Sequence, residues 1–405
     1  MTTPAPLQGL RVVEFSAFVA APSAGLALAQ LGAEVIRVDP IGGNIDIHRA
    51  PRNVAGRSLY WASLNRGKRS VALNVRSAQG RALLQRLICA SGQGAAVFLT
   101  NLGVDGELSY EALAQLRPDL IMVQLVGSSD GANAVDYTVN CAAGFPGITG
   151  SGRDGPVNHV LPAWDLVAGQ MLAFAVLAAE RHWRATAHGQ HVKLALSDVA
   201  LASAANLGYL ADVELNGTQR RADGNFLYGA YGDSFATADG RHAMVVAITD
   251  RQWAALLRAT GLQDALPKAA AALGQRLDSE DARYAARELI STALRPWFAQ
   301  RTLAEVAAAF GDRALLWGPY RSFAQMLTED PRCSEANPMF RRTAQPGIGE
   351  VLTAATPLRF GAAEDAPAGI SPRLGEHTHA VLREQLALDD AALQALQRAG
   401  AIGPA

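Results

Sequence analysis

Asp165 is the residue of this sequence best placed for covalent chemistry. It follows Pro162 and Trp164, at the point where a long apolar helix is expected to begin. An aspartate in such a position often caps the helix by accepting hydrogen bonds from the free N–H groups of the first turn. The same helix end stabilises a carboxylate anion, and an ionised aspartate beside an apolar wall is able to attack an acyl carbon. Spacing alone leaves both roles open, the structural cap and the nucleophile.

A histidine and a basic turn give weaker indications of chemistry. His159 stands alone shortly before the predicted helix, where a histidine is more often a structural residue than a base. The segment Leu64–Ser70 is a basic turn that leads into a predicted strand. Most such turns are solvated surface. The alternative is that Lys68, Arg69 and Arg76 meet phosphates at the carboxyl edge of a parallel sheet.

Dinucleotide and protease motifs are disfavoured. Gly150, Gly152 and Gly155 match the spacing G-x-G-x-x-G, but no strand leads into them and Pro156 follows where a helix is required. The turn Ser16–Pro22, after the first predicted strand, has no glycine that would let a pyrophosphate approach the backbone. A nicotinamide or flavin enzyme is therefore not expected. The sequence also contains no Ser-His-Asp order, zinc-protease helix or P-loop.

The elements that must position these residues alternate in the first third of the chain. Short apolar runs typical of buried strands are separated by stretches with helical periodicity, which favours a parallel sheet of the Rossmann type. The predicted strands are Leu10–Phe15, Glu34–Val38, Ser70–Val75, Ala95–Leu99 and Leu120–Val126. The intervening helices include Ala21–Leu31 and two that begin after the caps Ser77 and Ser109. A further strand is predicted at His191–Leu196.

The length of 405 residues suggests two domains. Residues 1–200 are expected to form the first part of a large domain, in which 127–160 are mostly loop and turn. The helix from Asp165 to Trp183 is apolar on nearly every side, which predicts the interior or a large interface. Residues 201–221 are expected to be a linker and 222–325 a small domain with strands and Ala/Leu helices. Residues 326–405 are expected to return to the large domain, ending in a helix capped by Asp389.

Composition excludes several classes of protein. Hydrophobic residues make up 49% of the chain, and 36 basic residues balance 37 acidic ones, so neither disorder nor a nucleic-acid partner is expected. The longest apolar run, Met171–Ala179, is about half of a membrane span, and the N-terminus shows no signal peptide, which favours a cytoplasmic location. The three cysteines fit neither a disulfide framework nor a metal site.

Seven segments, spread over almost the whole chain, resemble the family III CoA-transferases. They are Leu7–Phe15, Ala21–Pro22, Gly32–Pro40, Leu64–Ser70, Gly189–Gln190, Ser197–Asp198 and Leu374–Thr378. The resemblance implies an α/β fold with an open Rossmann-like large domain and a smaller α+β domain, in an interlocked homodimer. It implies that Asp165 is the nucleophile. It also implies that coenzyme A arrives as part of the acyl-CoA substrate, with no permanently bound cofactor and no metal.

The resemblance carries over only part of the family's CoA-binding set. Where its formyl-CoA members have a glutamine and a lysine, this chain has Val19 and Val126, and their arginine after Asn-Phe-Gly is missing after Gly103. These departures put the corresponding CoA and oxalate contacts in doubt. The positions that carry over as CoA contacts are Ala20, Leu73, Asn74, Arg76 and Asn101. Val19, which stands at the position of the family's glutamine, is also a candidate for the CoA site.

A closer resemblance, to one subgroup of the family, implies a particular reaction. The segments that carry it are Phe15–Pro22, Leu125–Gly127, Val135–Asn140, Val157–Asp165 and Tyr228–Tyr231. The subgroup moves CoA from C1 to C4 of 2-methylfumaryl-CoA, through an aspartyl anhydride and an aspartyl-CoA thioester. Residues expected to hold the dicarboxylate or to close over it are Tyr137, Asn140, His159, Tyr228 and Gly229.

Three alternatives stay open to different degrees. An intermolecular CoA-transferase between two dicarboxylates, with succinyl-CoA as one donor, is the main alternative. The α-methylacyl-CoA racemases share the fold and the aspartate, but they have a histidine where this chain has Val135, so a two-base proton exchange lacks one partner. A non-catalytic CoA-binding or scaffold protein is disfavoured because Asp165 is retained beside the other motifs.

Overall fold

The computed structural model describes residues 4–90, 94–153, 155–311, 315–361 and 368–403. Its strands are β1 (Arg11–Phe15), β2 (Glu34–Pro40), β3 (Arg69–Leu73), β4 (Val97–Thr100), β5 (Ile121–Val126), β6 (Gln190–Ala195), β7 (Tyr231–Ala236), β8 (His242–Ala247), β9 (Leu316–Pro319), β10 (Phe340–Gln345) and β11 (Gly349–Ala354). Its helices are α1 (Ala20–Gln30), α2 (Leu59–Leu64), α3 (Ala78–Cys89), α4 (Tyr110–Leu116), α5 (Asp136–Ala142), α6 (Ala163–Thr186), α7 (Leu196–Asn206), α8 (Tyr209–Asn216), α9 (Asp250–Thr260), α10 (Ala265–Ala272), α11 (Glu280–Ala285), α12 (Arg287–Ala299), α13 (Leu303–Phe310), α14 (Phe323–Glu329), α15 (Thr378–Leu386) and α16 (Asp390–Arg398).

The chain divides into two compact units. The first unit comprises Met1–Gly144, His159–Thr218 and Pro331–Ala405, and the second comprises Phe145–Asn158 and Gln219–Asp330.

The first unit is built on a six-stranded sheet in the order β3-β2-β1-β4-β5-β6. Every neighbouring pair in it is parallel. This is the strand order of a Rossmann fold. The order in which strands are added to the sheet reverses between β1 and β4, which leaves a crevice at their carboxyl ends. The prediction of a mixed α/β, Rossmann-like fold is confirmed.

The helix boundaries in the first unit follow local side-chain chemistry. Ser77, Ser109 and Asp389 each accept a hydrogen bond from a first-turn N–H of α3, α4 and α16, as the sequence predicted. One face of the sheet packs on α3, α15 and α16, where Leu84, Leu382 and Leu393 are buried. The three helices cover that face as a continuous apolar layer.

Helix α6 is the element on which Asp165 lies. Among the residues that the structure describes, it is the only helix long and apolar enough to cross a membrane. It packs on α1 and on the sheet through β5 and β6. At Gly169 the backbones approach so closely that a Cβ would overlap Ser23 Oγ and come within 2.8 Å of the Ala20 carbonyl oxygen. Glycine is therefore required for the contact between α1 and α6.

Helix α5 was not predicted; it lies within 127–160, which the sequence predicted to be mostly loop and turn. The seven residues of Asp136–Ala142 are helical, and Thr138 Oγ1 accepts a hydrogen bond from the N–H of Val135, the N-cap residue. Glycine and proline are absent between Val135 and Ala143, although they are frequent on either side. The turn-rich flanks obscured a short helix that is set by its own capping interaction.

The second unit contains the antiparallel sheet β7-β8-β9 and the helices α9 to α14. Its core is aromatic, with the rings of Phe235 and Phe298 stacked at 4.3 Å between centroids. Strands β7 and β8 lie within 222–325, where the sequence predicted a small domain with strands. The unit also includes Phe145–Asn158, which precedes α6 in the chain.

Candidate active site

The crevice between β1 and β4 has a rigid wall. The side-chain amide of Asn101, just after β4, accepts a hydrogen bond from Ala17 N at 2.9 Å and donates one to Ala17 O at 2.8 Å. Phe18 has a left-handed backbone with φ of 63°, which is strained for a bulky residue. Its N–H donates to Asp46 Oδ2 at 3.0 Å. Asp46 and Asn101 therefore fix the loop that follows β1.

A buried ion-pair network lies within the sheet next to this loop. Arg37 bonds Glu14 at 3.1 Å and Asp39 at 2.9 Å, and Lys68 Nζ lies 2.9 Å from Glu14 Oε2. Burial lowers the pKa of Lys68 to about 8, against the opposing effect of Glu14. Gly25 makes room for the pair, because a Cβ there would overlap Glu14 Oε2.

The network changes the interpretation of the basic turn. Lys68 is buried against Glu14, and Arg69 binds Glu34 and Glu384, each at 2.7 Å. Both cations lie at the start of β3, which is the amino edge of the sheet. The prediction that they stand near its carboxyl edge is wrong. Arg76 follows β3 at the carboxyl edge and is exposed.

Asp165 is the third residue of α6 and does not cap it. The N-cap position is Pro162, and the first-turn N–H groups of Trp164 and Asp165 donate to Oδ2 of Asp136, at 2.7 and 3.0 Å. The other carboxylate oxygen of Asp136 lies 2.8 Å from His159 Nε2. The cap suggested for Asp165 is therefore supplied by a different aspartate, which leaves the Asp165 carboxylate available for chemistry.

The Asp165 carboxyl is perturbed in the way expected of a reactive group. Burial, and then the negative charge of Asp136, raise its pKa to about 6, while Arg49 opposes the rise. In the part of the chain that the structure describes, no hydrogen bond reaches the Asp165 carboxylate. A carboxylate that is ionised at neutral pH, more basic than usual and without hydrogen bonds is a good nucleophile.

The segment before α6 is held by α5. Tyr137 donates from its hydroxyl to Val160 O at 3.2 Å, and Asn140 Oδ1 accepts from Trp164 Nε1 at 3.0 Å. Together with His159, which bonds Asp136, these residues surround the start of α6. The structure thus brings Tyr137, Asn140 and His159 together near Asp165, and each has a partner within the protein. Their contact with substrate stays a prediction.

The residues expected to contact CoA follow the carboxyl ends of β1, β3 and β4. Val19, Ala20 and Leu73 have buried side chains, so any contact with CoA would use their backbones. Asn74 Nδ2 donates to Gly400 O at 3.0 Å, and the amide of Asn101 is occupied by Ala17. Arg76 is the one exposed cation of the predicted set.

Tyr228 and Gly229 belong to the second unit. The guanidinium of Arg220 lies over the Tyr228 ring, 4.0 Å from its centroid, and Tyr284 contacts the ring edge at 5.3 Å. Gly229 has a left-handed φ of 77°, which suits glycine in a tight turn. These residues adjoin a cavity of about 210 Å³ lined in part by Thr149 and Arg221.

Sequence reasoning missed two charged residues beside Asp165. Asp136 lies within the segment Val135–Asn140 but is not among the predicted site residues, and neither is Arg49. The signal for Asp136 was its position before a short run without glycine or proline. Arg49 had no signal, because it lies in an irregular loop far from Asp165 in sequence. Among the described residues, no group of three or more His, Cys, Asp or Glu side chains could hold a metal ion.

Comparison with known proteins assigns the family. Residues 7–378 match the model of CoA-transferase family III, so the chain belongs to that family. The chain is 52% identical to 2-methylfumaryl-CoA isomerase of Chloroflexus aurantiacus over 401 residues, 98% of each chain. It is 30% identical to succinate–glutarate CoA-transferase of Agrobacterium fabrum, across 94% of this chain and 95% of that one.

Comparison with solved structures supports the same fold. A CAIB/BAIF family protein from Brucella suis superposes with a TM-score of 0.78 at 26% identity, covering 95% of this chain and all of that one. The family and the Rossmann-like architecture expected from the sequence are both confirmed.

Proposed function

We propose that the protein converts 2-methylfumaryl-CoA to 3-methylfumaryl-CoA by moving CoA within one molecule of acid. The observation that carries this proposal is the 52% identity, over nearly the whole of both chains, to an enzyme named for that substrate. The site supports it, because Asp165 lies in the first turn of a helix with a raised pKa and, within the described part of the chain, its carboxylate has no hydrogen bond, as suits a nucleophile in covalent acyl transfer.

The proposed reaction uses Asp165 as the carrier of CoA. Its carboxylate attacks the thioester carbonyl at C1, the C–S bond breaks, and a mixed anhydride and the CoA thiolate result. The thiolate attacks the aspartyl carbonyl and releases the C1 carboxylate, leaving an aspartyl-CoA thioester. The C4 carboxylate then attacks this thioester, a second anhydride forms, and the thiolate attacks its C4 carbonyl. The last step regenerates the Asp165 carboxylate.

Asp136 has the main supporting role in this scheme. It holds the first turn of α6 through two backbone N–H groups, and its charge makes the neighbouring carboxylate more basic. The CoA moiety would lie at the carboxyl edge of the sheet, where Arg76 is exposed. Because every intermediate is hydrolysable, the site must exclude water during the transfer. The role of Tyr228 and Gly229 in this exclusion stays a prediction from the sequence.

A homodimer is part of the proposal. Helices α6, α7 and α8 expose large apolar side chains, among them Phe174 at 73% and Leu215 at 83% exposure. Apolar area of this kind is typical of a protein interface. Sedimentation of the pure protein at micromolar concentration is expected to give twice the mass of 42.6 kDa. A stable, active monomer would contradict the dimer.

The alternative is transfer between two different acids. It is favoured by the second relative, whose name gives succinate and glutarate as its acids. One experiment separates the two reactions: pure protein is incubated with unlabelled 2-methylfumaryl-CoA in an excess of isotopically labelled mesaconate, and separately of labelled succinate. Mass spectrometry of the CoA esters is expected to show the isomer without label. Label entering CoA esters as fast as the isomer forms would establish the intermolecular reaction.

A further inference from the structure

Arg49 is a cation held between two aromatic rings. Its guanidinium carbon lies 5.6 Å from the centroid of the Phe18 ring and 5.3 Å from that of Tyr60. The side chain is exposed, and within the described residues no carboxylate lies at ion-pair distance from it. Arg49 also hydrogen-bonds the Tyr60 hydroxyl, which orients the guanidinium further. A guanidinium has five N–H donors, so others remain to meet an anion.

The backbone around Arg49 is fixed on both sides. Its N–H donates to Asp46 O at 3.0 Å, and its carbonyl accepts from Ser58 Oγ at 2.6 Å. Asp46 is also the residue that holds Phe18 in its strained, left-handed conformation. One buried aspartate therefore positions both the cation and one of its aromatic neighbours. Backbone strain that is held in place in this way is a feature of ligand sites.

Arg49 lies near the proposed nucleophile. The charges of both Arg49 and Asp165 act on the Tyr60 hydroxyl, whose pKa burial raises to about 12. Arg49 also opposes the rise in the pKa of Asp165. The Arg49 guanidinium, which lies over the Tyr60 ring, and the Asp165 carboxylate are thus close enough for their charges to interact within the first unit.

A dicarboxylyl-CoA brings a free carboxylate to a site that already contains Asp165 and Asp136. Without a cation, three negative charges would lie close together and binding would be disfavoured. A guanidinium meets a carboxylate with two parallel N–H···O bonds. We infer that Arg49 binds the carboxylate of the acyl group that is not bonded to CoA, and that it is a specificity-determining residue for dicarboxylic acids.

This assignment rests on the proposed function and adds a role to it. At the aspartyl-CoA stage both carboxylates of the acid are free. Arg49 holds the C4 end while C1 reacts and the C1 end while C4 reacts, so one cation serves both halves of the reaction. It also retains the acid against escape between them, which an intramolecular transfer requires.

The test compares two esters that differ only at C4. 2-Methylfumaryl-CoA carries a carboxylate there, and tiglyl-CoA carries a methyl group. The protein is mixed with each ester at limiting concentration, and the rate at which the peptide containing Asp165 gains a covalent adduct is measured by mass spectrometry. Arg49→Gln is expected to lower this rate about 100-fold with 2-methylfumaryl-CoA, the usual effect of losing one partner of a charge pair. With tiglyl-CoA the rate should change less than about threefold, because no C4 charge is lost.

Arg52→Gln is the matched control, since it removes the same charge from the same exposed segment. It should leave both rates as in the wild type. Equal losses with both esters in Arg49→Gln would overturn the inference and assign Arg49 to CoA or to the nucleophile. Unchanged rates with both would overturn it as well. Failure of the proposed function is distinguishable, because it would appear as a wild type that forms the adduct but yields no C4 isomer.

Discussion

Two groups of acidic side chains in the first unit are removed from water but differ in the partners that they have. Glu14 and Asp39 are fully buried, and each bonds Arg37 or Lys68 at about the length of a normal hydrogen bond. Asp165 and Asp136 lie side by side at the start of α6. Asp136 has three bonds, to two N–H groups and to His159, while no hydrogen bond reaches the Asp165 carboxylate among the described residues.

The difference separates structural carboxylates from a reactive one. In the network, burial raises the pKa of Asp39, but Arg37 opposes the rise by a direct ion pair, and the ion pairs link β1, β2 and the start of β3. At α6, burial and then the charge of the second carboxylate raise the pKa of Asp165 to about 6. A carboxylate that is less stabilised in its ionised form is correspondingly more nucleophilic.

The largest expected effect is the loss of turnover in Asp165→Asn. The amide has the same size but cannot form an anhydride, so the rate should fall by at least about four orders of magnitude. Steady-state conversion of 2-methylfumaryl-CoA measures it, with circular dichroism as the control for folding. Activity within tenfold of the wild type would remove Asp165 from the mechanism.

Removing one charge from the buried ion-pair network should lower the stability of the protein. Lys68→Met leaves Glu14 buried without its ammonium partner, which is expected to lower the free energy of unfolding by about 3–5 kcal/mol. Urea denaturation measures the change. The matched control is Arg81→Met, which removes a surface cation paired with Glu107 and Asp105 and should cost under about 1 kcal/mol. Equal costs for the two variants would contradict the distinction between them.

Replacing the reactive carboxylate should raise the stability of the protein, whereas replacing Lys68 should lower it. The folded-state pKa of Asp165 is raised above its ordinary 3.8, so folding favours the protonated form, and ionisation destabilises the fold at pH 8. Asp165→Asn should therefore be more stable than the wild type at pH 8 by about 2 kcal/mol. The gain should shrink as pH falls from about 6 and vanish below about 4. A thermal melting series across that range tests it, and a gain that does not depend on pH would argue against a perturbed carboxyl.

A smaller effect is expected from Asp136→Asn. Removing this charge takes away one cause of the raised pKa, so the acidic limb of the kcat/KM profile should move below its wild-type position near pH 6. The weaker cap should reduce kcat about tenfold. An unshifted limb with reduced kcat would assign Asp136 a purely structural role.

The sequence predicted the parallel sheet because the signals were local. Each apolar run from β1 to β5 and each serine cap can be recognised within a few residues. The capping of α6 could not be predicted in this way, since Asp136 reaches it from another helix. The same holds for Arg49, which only the folded loop brings near Asp165. The residues next to Asp165 in the sequence favoured Asp165 as the cap of its own helix. In the fold, Asp136 of another helix accepts those hydrogen bonds instead.

The covalent carrier is the central claim, and its direct test is to trap it. Wild-type protein is mixed with 2-methylfumaryl-CoA, quenched in acid within one turnover, and digested. Mass spectrometry is expected to find a CoA adduct on the peptide that contains Asp165, appearing before the C4 isomer and absent from Asp165→Asn. Formation of the isomer at full rate with no adduct on that peptide, or with the adduct on another residue, would contradict the account.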